Sequence, residues 1–128
     1  MKTLIVAATL FEIQPFIDQQ QKYLNVDFLI SGVGMTQTAY SLGKHLAFHD
    51  YDLLINVGIA GSFDKNLEIG AVISVTQDTF SELGAEDDSK FISIDQLGFG
   101  NSSYTPVQST STTEFLKKIT SGTAVTVN

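Results

Sequence analysis

The chain has 128 residues, 43% of them hydrophobic, with no cysteine and a net charge of −7 from 14 acidic and 7 basic side chains. This length holds one domain with a real core, and the composition excludes a disordered chain, a disulfide framework and thiolate chemistry. All the bases are lysines, so arginine is absent, and without a basic patch to neutralise phosphates nucleic acid is not an expected partner.

No apolar run approaches the roughly 20 residues of a membrane span, so no membrane association is expected. The first apolar segment, Leu4 to Ala8, is too short for a signal peptide and reads as a strand. A cytoplasmic location follows as the expectation. Thr3 to Ala8 is apolar enough to be buried on both faces, as in a parallel sheet. Thr9 and Leu10 turn the chain, and a helix is predicted from about Phe11 or Glu12 to Tyr23, with Pro15 in its first turn. Val26 to Ser31 is a second strand, ending at Gly32-Val33-Gly34. The next helix covers about Thr36 to Phe48, and Met35, Ala39, Leu42 and Leu46 share one face of it. Leu53 to Val57 is an apolar strand, expected to be buried, that breaks into the small-residue turn Gly58-Ile59-Ala60-Gly61-Ser62. This β-α-β-α-β order predicts parallel pairing with right-handed crossovers.

Further on, Ala71 to Phe80 reads as a long strand and Glu82 to Asp88 as an acidic loop. Residues 89–111 are polar and irregular. Thr112 or Thr113 is expected to cap a helix over Glu114 to Ile119, closed by Gly122, and Thr123 to Val127 looks like another buried strand. An apolar strand as the last element suggests the N-terminal portion of a longer protein.

Strand ends that meet glycine turns place backbone N–H groups at the carboxyl edge of a sheet, where α/β proteins bind ligands. Gly32-Val33-Gly34 fails as a dinucleotide fingerprint because Gln37 stands where a third glycine is needed. The turn at 58–62 lacks both the Gly-Lys-Ser/Thr of a P-loop and the pattern of a nucleophile elbow. His45 and His49 have metal-ligand spacing, but no glutamate or third ligand accompanies them, and both read as surface residues. Glu12 falls just past the end of the first strand, on the same edge as the 58–62 turn. Two readings stay open: a functional carboxylate, or a first-turn acid favoured by the helix dipole.

Leu4 to Ile13, Ser31 to Met35, Asn56 to Ser62 and Leu67 to Gly70 occur in the order and spacing of the nucleoside phosphorylase/nucleosidase superfamily. Within it the chain most resembles the futalosine hydrolases, chiefly in Gly58 to Phe63 and Phe80 to Asp87; the methylthioadenosine/S-adenosylhomocysteine nucleosidases come next. The resemblance implies a three-layer α/β/α fold with a central mixed, largely parallel sheet, of which residues 1–128 form a single, C-terminally truncated domain. It implies hydrolysis of the N-glycosidic bond of a purine nucleoside, in menaquinone biosynthesis for the futalosine type, through an oxocarbenium-like transition state. Glu12 matches the glutamate that holds the attacking water. Val33, Ile59, Ala60 and Gly61 match positions around the ribose, base and nucleophile, although Ile59 replaces the serine of methylthioadenosine nucleosidases. Phe80 falls in a segment leading to the subunit interface of a homo-oligomer.

No cofactor or metal is implied. Phosphorylases of the superfamily grip phosphate with arginine forks that lysine does not copy, and this chain has no arginine, so water is the expected nucleophile. The family's general-acid aspartate and its Met-Glu ribose grip lie beyond residue 128, and the chain alone is expected to be inactive. A non-catalytic nucleoside-binding module is the alternative from a different class.

Overall fold

The computed structural model describes residues 1–107, 114 and 116–127, and the chain divides into two compact units, Met1–Phe63 and Asp64–Asn128. Among the described residues no helix is long and apolar enough to cross a membrane.

The first unit is an α/β unit around a parallel sheet. Its strands are β1 (Thr3–Ala7), β2 (Val26–Ile30) and β3 (Leu53–Asn56), in the order β2-β1-β3. Both neighbours of β1 run parallel to it, with Ile5 opposite Phe28 on one side and Ile55 on the other. β1 carries the core: Leu4, Val6 and Ala7 are buried, as is Ile13 of helix α1 (Leu10–Ile17). Burying a side chain of this size stabilises by about 1.5–3 kcal/mol, so these few residues dominate the unit.

Two sequence expectations are corrected here. Helix α1 ends at Ile17, and only a 3-10 turn at Gln20–Lys22 continues toward Tyr23. Pro15 sits in the helix interior, not its first turn, where it removes an N–H from the ladder, and the glutamines after it offer no apolar stripe to prolong the helix. Strand β3 is not fully buried: Leu54 and Ile55 each remain 39% exposed, because β3 ends the strand order of its sheet.

Helix α2 (Met35–Leu46) starts at Gly34, whose φ of 91° and ψ of 153° suit only glycine. Its more covered face is Met35, Thr38, Ser41, Leu42 and His45, while Ala39 and Leu46 are exposed. The predicted stripe was therefore rotated. The reason lies in polar anchors: Ser31 Oγ stands 3.2 Å from Thr38 Oγ1, and His45 Nε2 stands 2.9 Å from the Tyr51 hydroxyl. These bonds turn polar residues inward at positions where apolar spacing pointed elsewhere.

In the second unit β4 (Ile73–Phe80) pairs parallel with β8 (Thr120–Thr126) and antiparallel with β7 (Ser103–Tyr104). A bulge between Val75 and Gln77 leaves Thr76 without a register partner. The acidic stretch is not a loop. β5 (Gly84–Asp87) and β6 (Lys90–Ser93) form an antiparallel hairpin, turning at Asp88 with φ 55°. The expected irregular region thus holds β6, the short helix α3 (Ile94–Leu97) and β7. Asp95 of α3 accepts from the amide of Ser102 at 2.6 Å and from its hydroxyl, which holds its carboxyl below the usual range. Gly122 lies inside β8 and closes no helix. Along β8 more and less exposed residues alternate, so that strand is not buried on both faces. The predicted cap at Thr112 or Thr113 lies outside the described residues, as does the part of the irregular region at 108–111.

Candidate active site

The carboxyl edge of the parallel sheet brings together the exit of β1 and the exit of β3. Thr9 is extended, with φ −133°, and caps α1. Three residues on, Glu12 reaches back so that its Oε2 accepts from the Thr9 amide at 2.8 Å and the Thr9 hydroxyl at 3.0 Å. This is the carboxylate half of a capping box, and it satisfies donors that the helix terminus leaves unpaired. The other oxygen, Oε1, accepts from the Ile59 amide at 3.1 Å. One side chain therefore bridges the start of α1 and the turn after β3.

These bonds set the charge. The Ile59 amide, foremost, and the Thr9 donors hold the Glu12 carboxyl below its ordinary 4.5, against an opposing effect of partial burial. At neutral pH the group is an anion. Backbone donors at Ile59, Thr9 and Ala8 and the Thr9 hydroxyl all favour the charged form. A carboxylate with a lowered pKa is a weak base, better suited to orienting a water and facing positive charge than to removing a proton early.

Around Glu12 opens a concavity of about 450 Å³ lined by Ala8, Thr9, Phe11, Glu12, Val33 and Ile59. Phe11, Val33 and Ile59 are 96%, 74% and 88% exposed, so large apolar surfaces flank a single anion. Apolar walls with few convergent polar groups are the usual make-up of a small-molecule site. Among these lining residues Glu12 alone is ionisable.

Of the residues singled out in the sequence, Glu12, Val33 and Ile59 share this concavity. Ala60 and Gly61 follow in the same turn, exposed and outside the lining. Phe80 belongs to the second unit, where its ring centroid stands 5.6 Å from that of Tyr104 and its amide donates to the Ser102 carbonyl at 2.8 Å. Sequence reasoning did not single out Thr9 or Phe11, and it read Gly58 only as part of the 58–62 turn. Thr9 carried a readable signal, the Thr-x-x-Glu spacing of a capping box; Phe11 carried none beyond adjacency.

At the opposite edge of the sheet lies a second polar group that the sequence reading dispersed to the surface. The Tyr51 hydroxyl donates to Asp27 Oδ2 at 2.8 Å, so the His45 Nε2 beside it donates to Tyr51. Lys2 Nζ stands 3.6 Å from the same Asp27 oxygen and 4.5 Å from the Tyr51 ring centre. His45 is thus a bonded, half-buried residue, and its ring stacks on His49 at 4.5 Å. Among the described residues no group of three or more His, Cys, Asp or Glu could hold a metal ion.

A parallel α/β unit that presents a fixed carboxylate in an apolar concavity at its strand ends has the layout of a small-molecule enzyme site. The chain is 32% identical over 85 residues to a futalosine hydrolase from Streptomyces coelicolor. The match covers 62% of this chain and 36% of the relative, so it spans little more than a third of that enzyme. This likeness supports a nucleosidase-type relationship. No family model matches the chain. No solved structure matches it.

Proposed function

We propose that this chain carries the nucleophile side of a nucleosidase site that hydrolyses the N-glycosidic bond of a purine nucleoside of the futalosine type. The observation that carries the reading is the Glu12 carboxylate, fixed by Thr9 and Ile59 in an apolar concavity. The likeness to a futalosine hydrolase supports the choice of substrate class.

In this reading the C–N bond breaks with its electron pair leaving on the base, and the ribosyl group becomes a flat, oxocarbenium-like cation. The Glu12 anion faces that charge. The carboxylate orients a water toward the anomeric carbon, and the water's proton passes to Glu12 only as the new C–O bond forms. A weak base suffices for so late a transfer. Val33, Ile59 and Phe11 offer apolar walls that limit competing water. The leaving base takes its proton from a group outside the six lining residues, since none of the other five is ionisable. No metal or cofactor is needed. The reading takes the complete fold to be the three-layer α/β/α type with a central mixed sheet. It takes the enzyme to be a cytoplasmic homo-oligomer with the Phe80–Asp88 segment at its interface, acting in menaquinone biosynthesis.

The test is release of free base from futalosine with and without phosphate, by a protein that carries this chain within the complete fold the reading assumes and by its Glu12→Gln variant. Release independent of phosphate and lost in Glu12→Gln is expected. Release that requires phosphate, or that survives the substitution, would overturn the reading. A second reading is favoured by the bonds Thr9 makes to Glu12: the carboxylate is only a helix cap in a non-catalytic nucleoside-binding module. That reading expects nucleoside binding without turnover in both proteins.

A further inference from the structure

We propose that Gly58 is a positioning residue for the Glu12 carboxylate: the empty space where a side chain would begin is what allows Oε1 to reach the Ile59 amide. The inference rests on the nucleosidase reading only for its catalytic consequence. A Cβ built on Gly58 would stand 2.7 Å from Glu12 Oε1, 3.4 Å from Cδ and 4.0 Å from Oε2. The first of these is closer than side-chain carbons approach other atoms.

Backbone conformation does not explain this glycine. Gly32, Gly34, Gly70, Gly98 and Gly100 have positive φ, and Gly58 does not belong to that set. Gly61, in the same turn, has open space around its would-be Cβ. Of the two glycines in the turn, only Gly58 has a contact reason to be small.

The consequence of filling that space can be worked out from what is free to move. The clashing atom is the end of a flexible side chain, so the carboxylate yields rather than the backbone. Oε2 is tethered to Thr9 by two hydrogen bonds, whereas Oε1 is the oxygen that reaches Ile59. The carboxylate therefore pivots about Oε2, and the Ile59 bond breaks. Glu12 keeps its place as a cap and loses its aim.

The experiment is a carboxyl-carbon NMR titration of Glu12, together with the Ile59 amide proton shift, in the 128-residue chain and in Gly58→Ala. Gly61→Ala serves as the control. Gly58→Ala is expected to move the Glu12 titration upward toward 4.5 and to abolish the response of the Ile59 amide to that titration; Gly61→Ala changes neither. In a turnover-competent protein kcat should fall by roughly 10²-fold with KM little changed, the cost of misplacing a group by about an ångström. A stability cycle guards against a folding defect: Gly58→Ala lowers the urea midpoint in the parent but not in a Glu12→Ala background. An unchanged Glu12 titration and Ile59 amide, an equal shift in Gly61→Ala, or equal destabilisation in both backgrounds would overturn the proposal. If the carboxylate moves as expected while a protein carrying this chain within the complete fold releases no base from futalosine, the positioning role stands and the nucleosidase reading fails.

Discussion

The Glu12 carboxylate and the Ile59 amide, 47 residues apart in sequence, are joined by a hydrogen bond of 3.1 Å that ties the first turn of α1 to the exit of β3. Neither residue belongs to the buried core. Their bond fixes where an anion stands at the open edge of the sheet, and it makes the local structure sensitive to the ionisation of one group.

That sensitivity has a sign. The carboxyl of Glu12 is held below its ordinary 4.5 in the folded chain, with the Ile59 amide the largest cause. The folded state therefore binds the proton more weakly than the unfolded state does. The stabilisation is fully present above pH 4.5 and is lost as pH falls through the folded value. Urea unfolding from pH 7 to pH 3 should show an acid loss of stability that is reduced in Glu12→Gln. Equal acid sensitivity in both proteins would contradict this coupling.

Tyr51 gives the opposite sign at the other extreme of pH. Burial, then the bond to Asp27 and its negative charge, push the Tyr51 hydroxyl up to about 12. The folded chain keeps that proton where the unfolded chain gives it up, so the contribution is complete below pH 10 and lost as pH rises toward 12. Spectrophotometric titration should find a tyrosine ionising near pH 12, and Tyr51→Phe should remove it. The same substitution deletes the hydroxyl between His45 and Asp27 and should destabilise the chain by about 1–3 kcal/mol.

Gly34 is tested by adding one methyl group. Its φ of 91° and ψ of 153° lie in a region nearly closed to other residues, and its carbonyl accepts the Thr38 amide at 3.0 Å in the first turn of α2. Gly34→Ala should cost about 1–3 kcal/mol, lowering the urea midpoint with an unchanged slope. An unaltered midpoint would show that the turn relaxes without strain.

Much of the first unit was legible in the sequence because its signals are local. Thr3 to Ala7 is continuously apolar, the connections are short, and glycines mark the strand ends, so the β-α-β-α-β order and parallel pairing could be read directly. The path of α2's buried face could not, since Thr38 and His45 turn inward through bonds to Ser31 and Tyr51 that no periodicity encodes. The β5–β6 hairpin was hidden for a different reason. Glu86 and Asp87 are poor strand formers, and the pairing depends on the turn at Asp88 rather than on an apolar face. At the site, Glu12 stood out by its place after a strand. The role of Gly58 depends on a contact across 46 residues, so in the sequence it looks like any turn glycine.

The bulge at Thr76 has a consequence for how β4 tolerates change in length. Val75 pairs with Gly122 and Gln77 with Thr123, so the strand carries one residue more than its partner over this stretch. Because side chains alternate between faces, removing a residue from a regular strand turns over everything beyond it. Removing Thr76 would instead abolish the bulge and leave Gln77 to Phe80 in their present pairing with Thr123 to Thr126. β4 is thus a strand in which a codon could be lost at one position without reversing the face on which Phe80 stands.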